Sequence, residues 1–155
     1  MATRISIAGM AFVAGFLPAA CADMATSHPS GNVDTRESVE FPEPLRSHTL
    51  ANMRDHLETL RLLQDDLARG SFSQAAETAE SRLGLSSLEL HGAHEVAGYM
   101  PAAMQAMGLE MHKAASRFAI DAADAGATGD NRKALASLAD LTARCVACHA
   151  AYKVR

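Results

Sequence analysis

Apolar side chains that return every three or four residues are the feature that most constrains the fold of this 155-residue chain. The pattern is longest between residues 44 and 69, where one face of a helix would carry Leu50, Met53, Leu57, Leu60 and Leu67. Ala, Leu, Met, Glu and Arg are frequent, and the clusters of β-branched residues that favour strands are almost absent. The sequence therefore predicts helices that pack through one apolar face each.

Three further segments have the same character. A shorter helix is expected over residues 73–83, a long one over 101–125, and a last one from about residue 130 to the C-terminus. Gly126 is expected to end the long helix, whereas residues 85–99 have no clear period. Four amphipathic helices with short connections predict an all-α fold, an antiparallel four-helix bundle, with no strands.

Residues 1–22 have the composition of a secretory signal peptide. Arg4 is their only charged residue, an apolar run extends from residue 5 to residue 17, and small residues follow around Cys21. The run is shorter than the roughly 20 residues of a membrane-spanning helix. The sequence therefore predicts export to the periplasm of a Gram-negative bacterium, with cleavage near residue 23 and no integral membrane span. The alternative is anchoring through a lipid on Cys21.

The mature chain is expected to have two parts. Pro29, Gly31 and Pro42 stand among Ser, Thr and Asn residues between positions 23 and 43, where neither a helical nor a strand period is visible. This composition predicts a flexible leader over residues 23–43. The folded domain is expected to cover residues 44–155.

The charge and the cysteine count argue against several classes of function. The chain has 18 acidic and 14 basic side chains, a net charge of −4, whereas nucleic-acid-binding proteins normally carry a basic face. Three cysteines are too few for a disulfide scaffold. Neither a Ser-His-Asp order nor a pair of carboxylates with catalytic spacing stands out, so the chain is not expected to be an enzyme.

The motif that points to chemistry is Cys145-Val146-Ala147-Cys148-His149, which has the c-type haem attachment spacing. Two thiols at this spacing form thioether bonds with the two vinyl groups of one porphyrin, and the next residue supplies an imidazole to the iron. The motif predicts one covalently bound haem c per chain, held by Cys145 and Cys148, with His149 as the proximal axial ligand of the iron.

The cysteine pair has two alternative interpretations, a redox-active pair and half of a zinc site. A redox-active pair of the thioredoxin type would sit in a βαβ pattern, which the sequence lacks. Half of a zinc site would need two more ligands, for which His91 and His94 are candidates. Export favours haem, because c-type haem is attached outside the cytoplasm.

The position of the motif on the last predicted helix, followed by Ala150-Ala151-Tyr152-Lys153, resembles the class II c-type cytochromes. These are the cytochromes c prime and their low-spin relatives, and the resemblance covers about residues 44–155. It implies a four-helix bundle with haem on the C-terminal helix. It also implies a redox partner protein and a homodimer. Lys153 occupies the family's basic position, either at the haem edge or as a solvated lysine.

The resemblance further implies that function depends on the residue that faces the iron from the first helix. Arg46 followed by Leu50 resembles the five-coordinate class, which binds nitric oxide or carbon monoxide on an apolar distal face. Met53 followed by Leu57 resembles the low-spin class, in which His/Met ligation suits electron transfer. We expect Met53 as the sixth ligand, Leu50 on the distal face, and an electron carrier; the five-coordinate gas binder is the alternative.

A methionine stripe leaves a third function open. Its members share one face of the long helix and are expected mainly as flexible core around the porphyrin. They are also candidates for a sixth ligand or for binding a soft metal. His91 and His94, completed by His112 or by the first methionine of the stripe, would make a His/Met-rich metal-binding or sensor protein. The stripe consists of Met100, Met104, Met107 and Met111.

Overall fold

A computed structural model describes residues 33–155 and contains five α-helices and two short strands in that range. The predominance of helix confirms the all-α prediction in its coarse form, whereas the prediction of no strands is wrong. No helix within residues 33–155 is both long and apolar enough to cross a membrane. The predicted signal peptide and residues 23–32 of the predicted leader lie outside the described part. The elements are β1 (Glu37–Val39), α1 (Leu45–Arg69), α2 (Phe72–Arg82), α3 (Ala93–Ala97), α4 (Ala102–Thr128), α5 (Arg132–Ala151) and β2 (Tyr152–Val154).

Two helices end at a glycine in the left-handed conformation, but the long helix does not end at the predicted glycine. Gly70 ends α1 in the left-handed conformation, with φ 73°, and its N–H donates to the carbonyl groups of Asp66 and Leu67. Gly126, however, lies inside α4, which continues to Gly129 at φ 74°. A Cβ atom at position 126 would lie 3.4 Å from the Cβ of Phe72. Gly126 therefore serves the contact between α2 and α4 rather than the end of a helix.

The hydrophobic core is formed by the second half of α1 with α2, α4 and α5. Helix α4 packs most extensively against α5 and α2, and α1 packs most closely against α2. Small side chains on the buried face of α4 permit this close approach, because the distance between packed helices depends on the side chains at their contact. Phe118, Leu63 and Leu141 fill the space at the centre. The buried alanines of α4 are Ala114, Ala115, Ala119, Ala122 and Ala125.

The described end of the predicted leader is part of the folded unit, which differs from the sequence prediction. Strand β1 pairs in parallel with β2, so that Glu37 lies opposite Tyr152. Val39 and Phe41 are buried against Met104, and residues 34–155 form one compact unit. We call residues 34–41 the strap. A three-residue strand is too short to give a readable period, and Tyr152, expected on the last helix, begins β2 instead.

Phe118→Ala should lower the free energy of unfolding by about 3–5 kcal/mol, because it leaves a cavity at a fully buried position where three helices meet. Urea unfolding followed by far-ultraviolet circular dichroism measures the change. Ile120→Ala is the matched control on the same helix, since Ile120 is 62% exposed, and should cost less than about 1 kcal/mol. Equal losses for the two variants would contradict this account of the core.

Candidate functional site

A cavity of about 1170 Å³ is bordered by the first half of α1, the region of α3, α4, the end of α5 and the strap. Pockets for drug-sized ligands are commonly about 300–1,000 Å³, so this cavity accommodates a group as large as a porphyrin. Its lining brings together all six site residues that the sequence singled out. These are Leu50, Met53, Cys145, Cys148, His149 and Lys153.

The two cysteines lie on the last two turns of α5. The thiol of Cys145 donates to the carbonyl oxygen of Leu141 at 3.7 Å, and both thiols are partly buried. Burial raises the pKa of the Cys145 thiol and of the Cys148 thiol. A reactive redox pair needs the opposite shift, toward the thiolate. The environment of these thiols therefore disfavours the redox-pair alternative. His149, in contrast, is exposed and borders the cavity.

The facing residues of α1 come from its first half. Leu50 and Met53 lie one helical turn apart, are partly buried, and both line the cavity. Leu57, predicted as a core residue, is 70% exposed and lines the cavity as well. The apolar stripe of α1 thus divides: its second half enters the dry core, and its first half borders open space. The side-chain amide of Asn52 ties this first half to the carbonyl oxygen of His91 at 3.0 Å.

The methionine stripe borders the same cavity. Met104 and Met111 are buried, Met100 and Met107 are partly buried, and all four belong to the lining. The stripe therefore forms an apolar wall of the cavity.

His94 does not join His91 at a common site. It is exposed on α3 and lies outside the lining. Moreover, within residues 33–155 no group of three or more His, Cys, Asp or Glu side chains is arranged to hold a metal ion. The pairing of His91 with His94 that the sequence suggested is accordingly not formed.

Three histidines from distant parts of the chain instead form a compact group beside the cavity. The centroids of the His56 and His91 rings are 4.6 Å apart, those of His91 and His112 are 5.3 Å apart, and those of His56 and His112 are 6.4 Å apart. His91 and His112 are only 6% and 7% exposed. We call these three residues the histidine cluster. Nothing in the local sequence pattern relates His56 to the other two.

Backbone hydrogen bonds orient part of this cluster. The Nδ1 atom of His112 donates to the carbonyl oxygen of Leu83 at 2.8 Å, which leaves its Nε2 atom as an acceptor. The buried hydroxyl of Ser87 donates to the carbonyl oxygen of Gly84 and lies 3.5 Å from the Nδ1 atoms of both His91 and His112.

Burial keeps the histidine cluster neutral. It lowers the pKa of all three imidazoles, because a charged ring loses hydration there, and repulsion from neighbouring rings adds to the effect at His56 and His91. The pKa of His56 falls to about 4. The negative charge of Asp55 opposes the shift at His56 and His91 without cancelling it.

The cavity also collects the unpartnered polar atoms of the described residues. Four buried side-chain nitrogen or oxygen atoms there lack a hydrogen-bond partner, and every one belongs to a residue of the lining. Leaving such a group unpaired costs about 1–3 kcal/mol. The uncompensated polar atoms of the described residues are thus concentrated in the wall of one cavity. The atoms are Thr49 Oγ1, His56 Nε2, His91 Nε2 and Arg144 Nε.

Two cations stand where the strap meets the cavity. Asp34 accepts hydrogen bonds from Arg36 at 2.9 Å and forms an ion pair with the Lys153 ammonium group at 3.2 Å. These bonds, chiefly that from Arg36, hold the pKa of the Asp34 carboxyl well below its usual range. Arg36 and Lys153 also belong to the lining. Lys153, whose side chain is 19% exposed, is therefore an ion-paired residue of the cavity wall and not a freely solvated lysine.

Stability should decrease as the pH falls from about 7 to about 4. His56 has a pKa of about 4 in the folded protein and an ordinary pKa of 6.5 in the unfolded chain, so the unfolded chain binds the proton first. The stability due to neutral His56 is complete above pH 6.5 and is lost by about pH 4, a change of up to about 3 kcal/mol. Urea unfolding at several pH values measures it.

His56→Gln should flatten this pH profile, and substitution of the exposed His94 by Gln should leave it steep. An unchanged profile in the His56 variant would show that other groups cause the acid sensitivity.

No protein-family model, curated protein or solved structure matches this chain. Its function therefore has to follow from its own residues. Those residues are the two cysteines and the histidine at the end of α5, which share one cavity with a methionine of α1. That shared cavity is the central structural fact about the site.

Proposed function

We propose that the protein is an exported c-type cytochrome with one covalent haem, and that it carries electrons without turning over a substrate. One observation carries the proposal: the side chains of the Cys-x-x-Cys-His sequence and Met53 line the same cavity. This sequence spacing matches covalent haem attachment. The volume of about 1170 Å³ and the apolar lining support a macrocycle as the occupant.

Different residues would bind different parts of the haem. Cys145 and Cys148 would form the two thioether bonds, His149 would bind the iron through its imidazole, and the thioether of Met53 would be the sixth ligand. Arg36 and Lys153 offer positive charge at the cavity edge for the acidic groups of the porphyrin. When bound, the haem supplies a one-electron iron couple, whose potential His/Met ligation raises.

The chain's own contribution is to restrict water and to leave an edge accessible. The methionine stripe and Leu60 cover one side of the cavity with apolar surface. His149 and Val146 are exposed, and Val146 is 63% exposed between the two cysteines. An apolar exposed residue next to the attachment site suits transient contact with a redox partner protein, since electrons pass between proteins through such edges.

The finer features of the fold and of the location belong to the same proposal. Helices α1, α2, α4 and α5 would form the antiparallel four-helix bundle of the class II c-type cytochromes. Export to the periplasm rests on the composition of residues 1–22. The homodimer rests on the family resemblance alone.

A five-coordinate cytochrome that binds nitric oxide or carbon monoxide is the second candidate. One observation favours it: Leu50 lines the cavity one turn before Met53, so an apolar residue is also available on the distal side. The third candidate, a His/Met-rich metal-binding or sensor protein, has less support, because His94 is exposed and outside the lining. Titration with copper or zinc against a His91→Ala and His94→Ala double variant tests it.

Removing both thiols should abolish covalent haem. Wild-type protein, produced with a c-type haem attachment system, should keep haem through denaturing electrophoresis and gain the mass of one haem. Cys145→Ala combined with Cys148→Ala should lose both signals, whereas Met107→Ala, at a partly buried position of the same lining, should keep them. Wild-type protein without haem would overturn the proposed function.

Met53→Ala should convert a low-spin ferric protein into a high-spin one. The expected wild-type spectrum contains a weak near-infrared band from charge transfer between the methionine sulfur and the iron, and the variant should lack this band. Met107→Ala again provides the matched control, because it removes another thioether from the same cavity. Optical and paramagnetic resonance spectra report the change.

The opposite spectra would favour the gas binder. A band that persists in Met53→Ala would remove Met53 as the ligand. A high-spin wild type whose reduced form readily binds carbon monoxide would select the five-coordinate alternative with Leu50 over the iron.

A further inference from the structure

We propose that the histidine cluster of His56, His91 and His112 takes up one proton when the iron is reduced, so that the protein carries a proton together with its electron. This inference rests on the proposed function, because it needs an iron couple in the cavity. It adds a buried proton-binding site to a chain that would otherwise carry electrons alone.

The first support is the contact between the rings. Two of the three centroid distances are 4.6 and 5.3 Å, so the rings are in contact and a charge on one ring acts directly on the next. The Nε2 atoms of His56 and His91 are buried and have no hydrogen-bond partner. A ring nitrogen that carries a free lone pair can therefore bind a proton without breaking an existing hydrogen bond.

The second support is that burial and mutual repulsion limit the cluster to one positive charge. His91 and His112 are more than nine-tenths buried, and two imidazolium ions in contact there would repel each other in a poorly solvated place. Protonation of one ring therefore opposes protonation of the others. The three histidines would titrate as a unit and not as independent groups.

The third support is the position of the cluster relative to the proposed iron ligand. All three histidines line the cavity that His149 also lines, and positive charge at His149 disfavours positive charge at His56. Reduction adds one negative charge to the iron site. The same coupling, with its sign reversed, then raises the proton affinity of the cluster.

The charged groups around the cluster do not by themselves fix its protonation state, so the cluster can respond to reduction of the iron. Asp55 favours protonation of His56 and His91, but it is itself paired with Arg82. The Nε2 atom of His48 donates to the carbonyl oxygen of His91, away from the His91 ring nitrogens, and His48 disfavours charge on His91. Arg144, on α5, borders the cavity with a further positive charge. No carboxylate hydrogen-bonds to the unpartnered Nε2 atoms of His56 and His91, so the iron charge is free to decide their protonation.

The step balances in electrons and protons. The proposed haem iron would accept one electron from the redox partner. One hydronium ion would transfer its proton to an Nε2 atom of the cluster, so that an N–H bond forms, an O–H bond breaks and water is released. Reoxidation would return the electron to an acceptor and the proton to water.

The midpoint potential of the haem-bearing protein, measured by spectroelectrochemistry over about pH 4.5–8, tests the proposal. Uptake of one proton per electron changes the equilibrium constant tenfold per pH unit, which is about 59 mV per pH unit for a one-electron couple. We expect the potential to fall with rising pH. The slope should approach this value between the pKa of the cluster in the oxidised protein and its pKa in the reduced protein. Above that interval it should become constant.

Variants assign the slope to the cluster. His91→Gln and His112→Gln should each weaken or remove it, and His94→Gln, which changes an exposed neighbour, should preserve it. A slope that is equal in wild type and in both cluster variants would assign the proton to another group and overturn the proposal. A wild-type potential that does not change with pH would overturn it as well.

A second measurement does not depend on the stability of the variants. Wild-type protein is reduced in weakly buffered solution, and a pH-indicator dye reports the protons taken up. Up to one proton per electron is expected near the midpoint of the slope, and no uptake would contradict the proposal. Failure of haem attachment defeats the proposed function, whereas a pH-independent potential in haem-bearing protein defeats only this inference.

Discussion

The close approach of α2 and α5 to the alanine face of α4 is the interaction on which the rest of the structure depends. Because Ala115, Ala122 and their neighbours fill little space, the helices meet directly and exclude water from one end of the domain. Methionines and histidines lie toward the other end, where they border the cavity. The tightly packed end of the domain thus supports the end that contains the cavity, where the candidate functional site lies.

The sequence predicts the helices of this structure well. It predicts poorly those features that depend on contacts between distant parts of the chain, as particular residues show. Helix α1 begins and ends within a residue of the expected positions, because periodic leucines and Gly70 act locally. Gly126 does not end a helix as predicted, because its role is set by the contact with Phe72 of another helix. Likewise the motif on α5 and Met53 are readable from the sequence, whereas the grouping of His56 with His91 and His112 depends on how α1, α4 and the segment between them pack.

Neutral, partly unpartnered histidines are a cost to the folded protein. Burial disfavours their charged forms, and the empty Nε2 sites of His56 and His91 forgo hydrogen bonds that water would provide. Local conflicts of this kind are typical of functional sites, where the surrounding core supplies the stability that the site lacks. Here Leu63 and Phe118 are completely buried a short way along the helices that carry His56 and His112.

The pairing of β1 with β2 joins residues from nearly opposite ends of the described chain. Until β1 pairs with β2, the side of the cavity next to Arg36 and Lys153 lacks the border that the strap supplies. Contacts so distant in sequence also form late for entropic reasons. Among the borders of the cavity that the two thiols of α5 line, the strap is therefore the one expected to form late in folding.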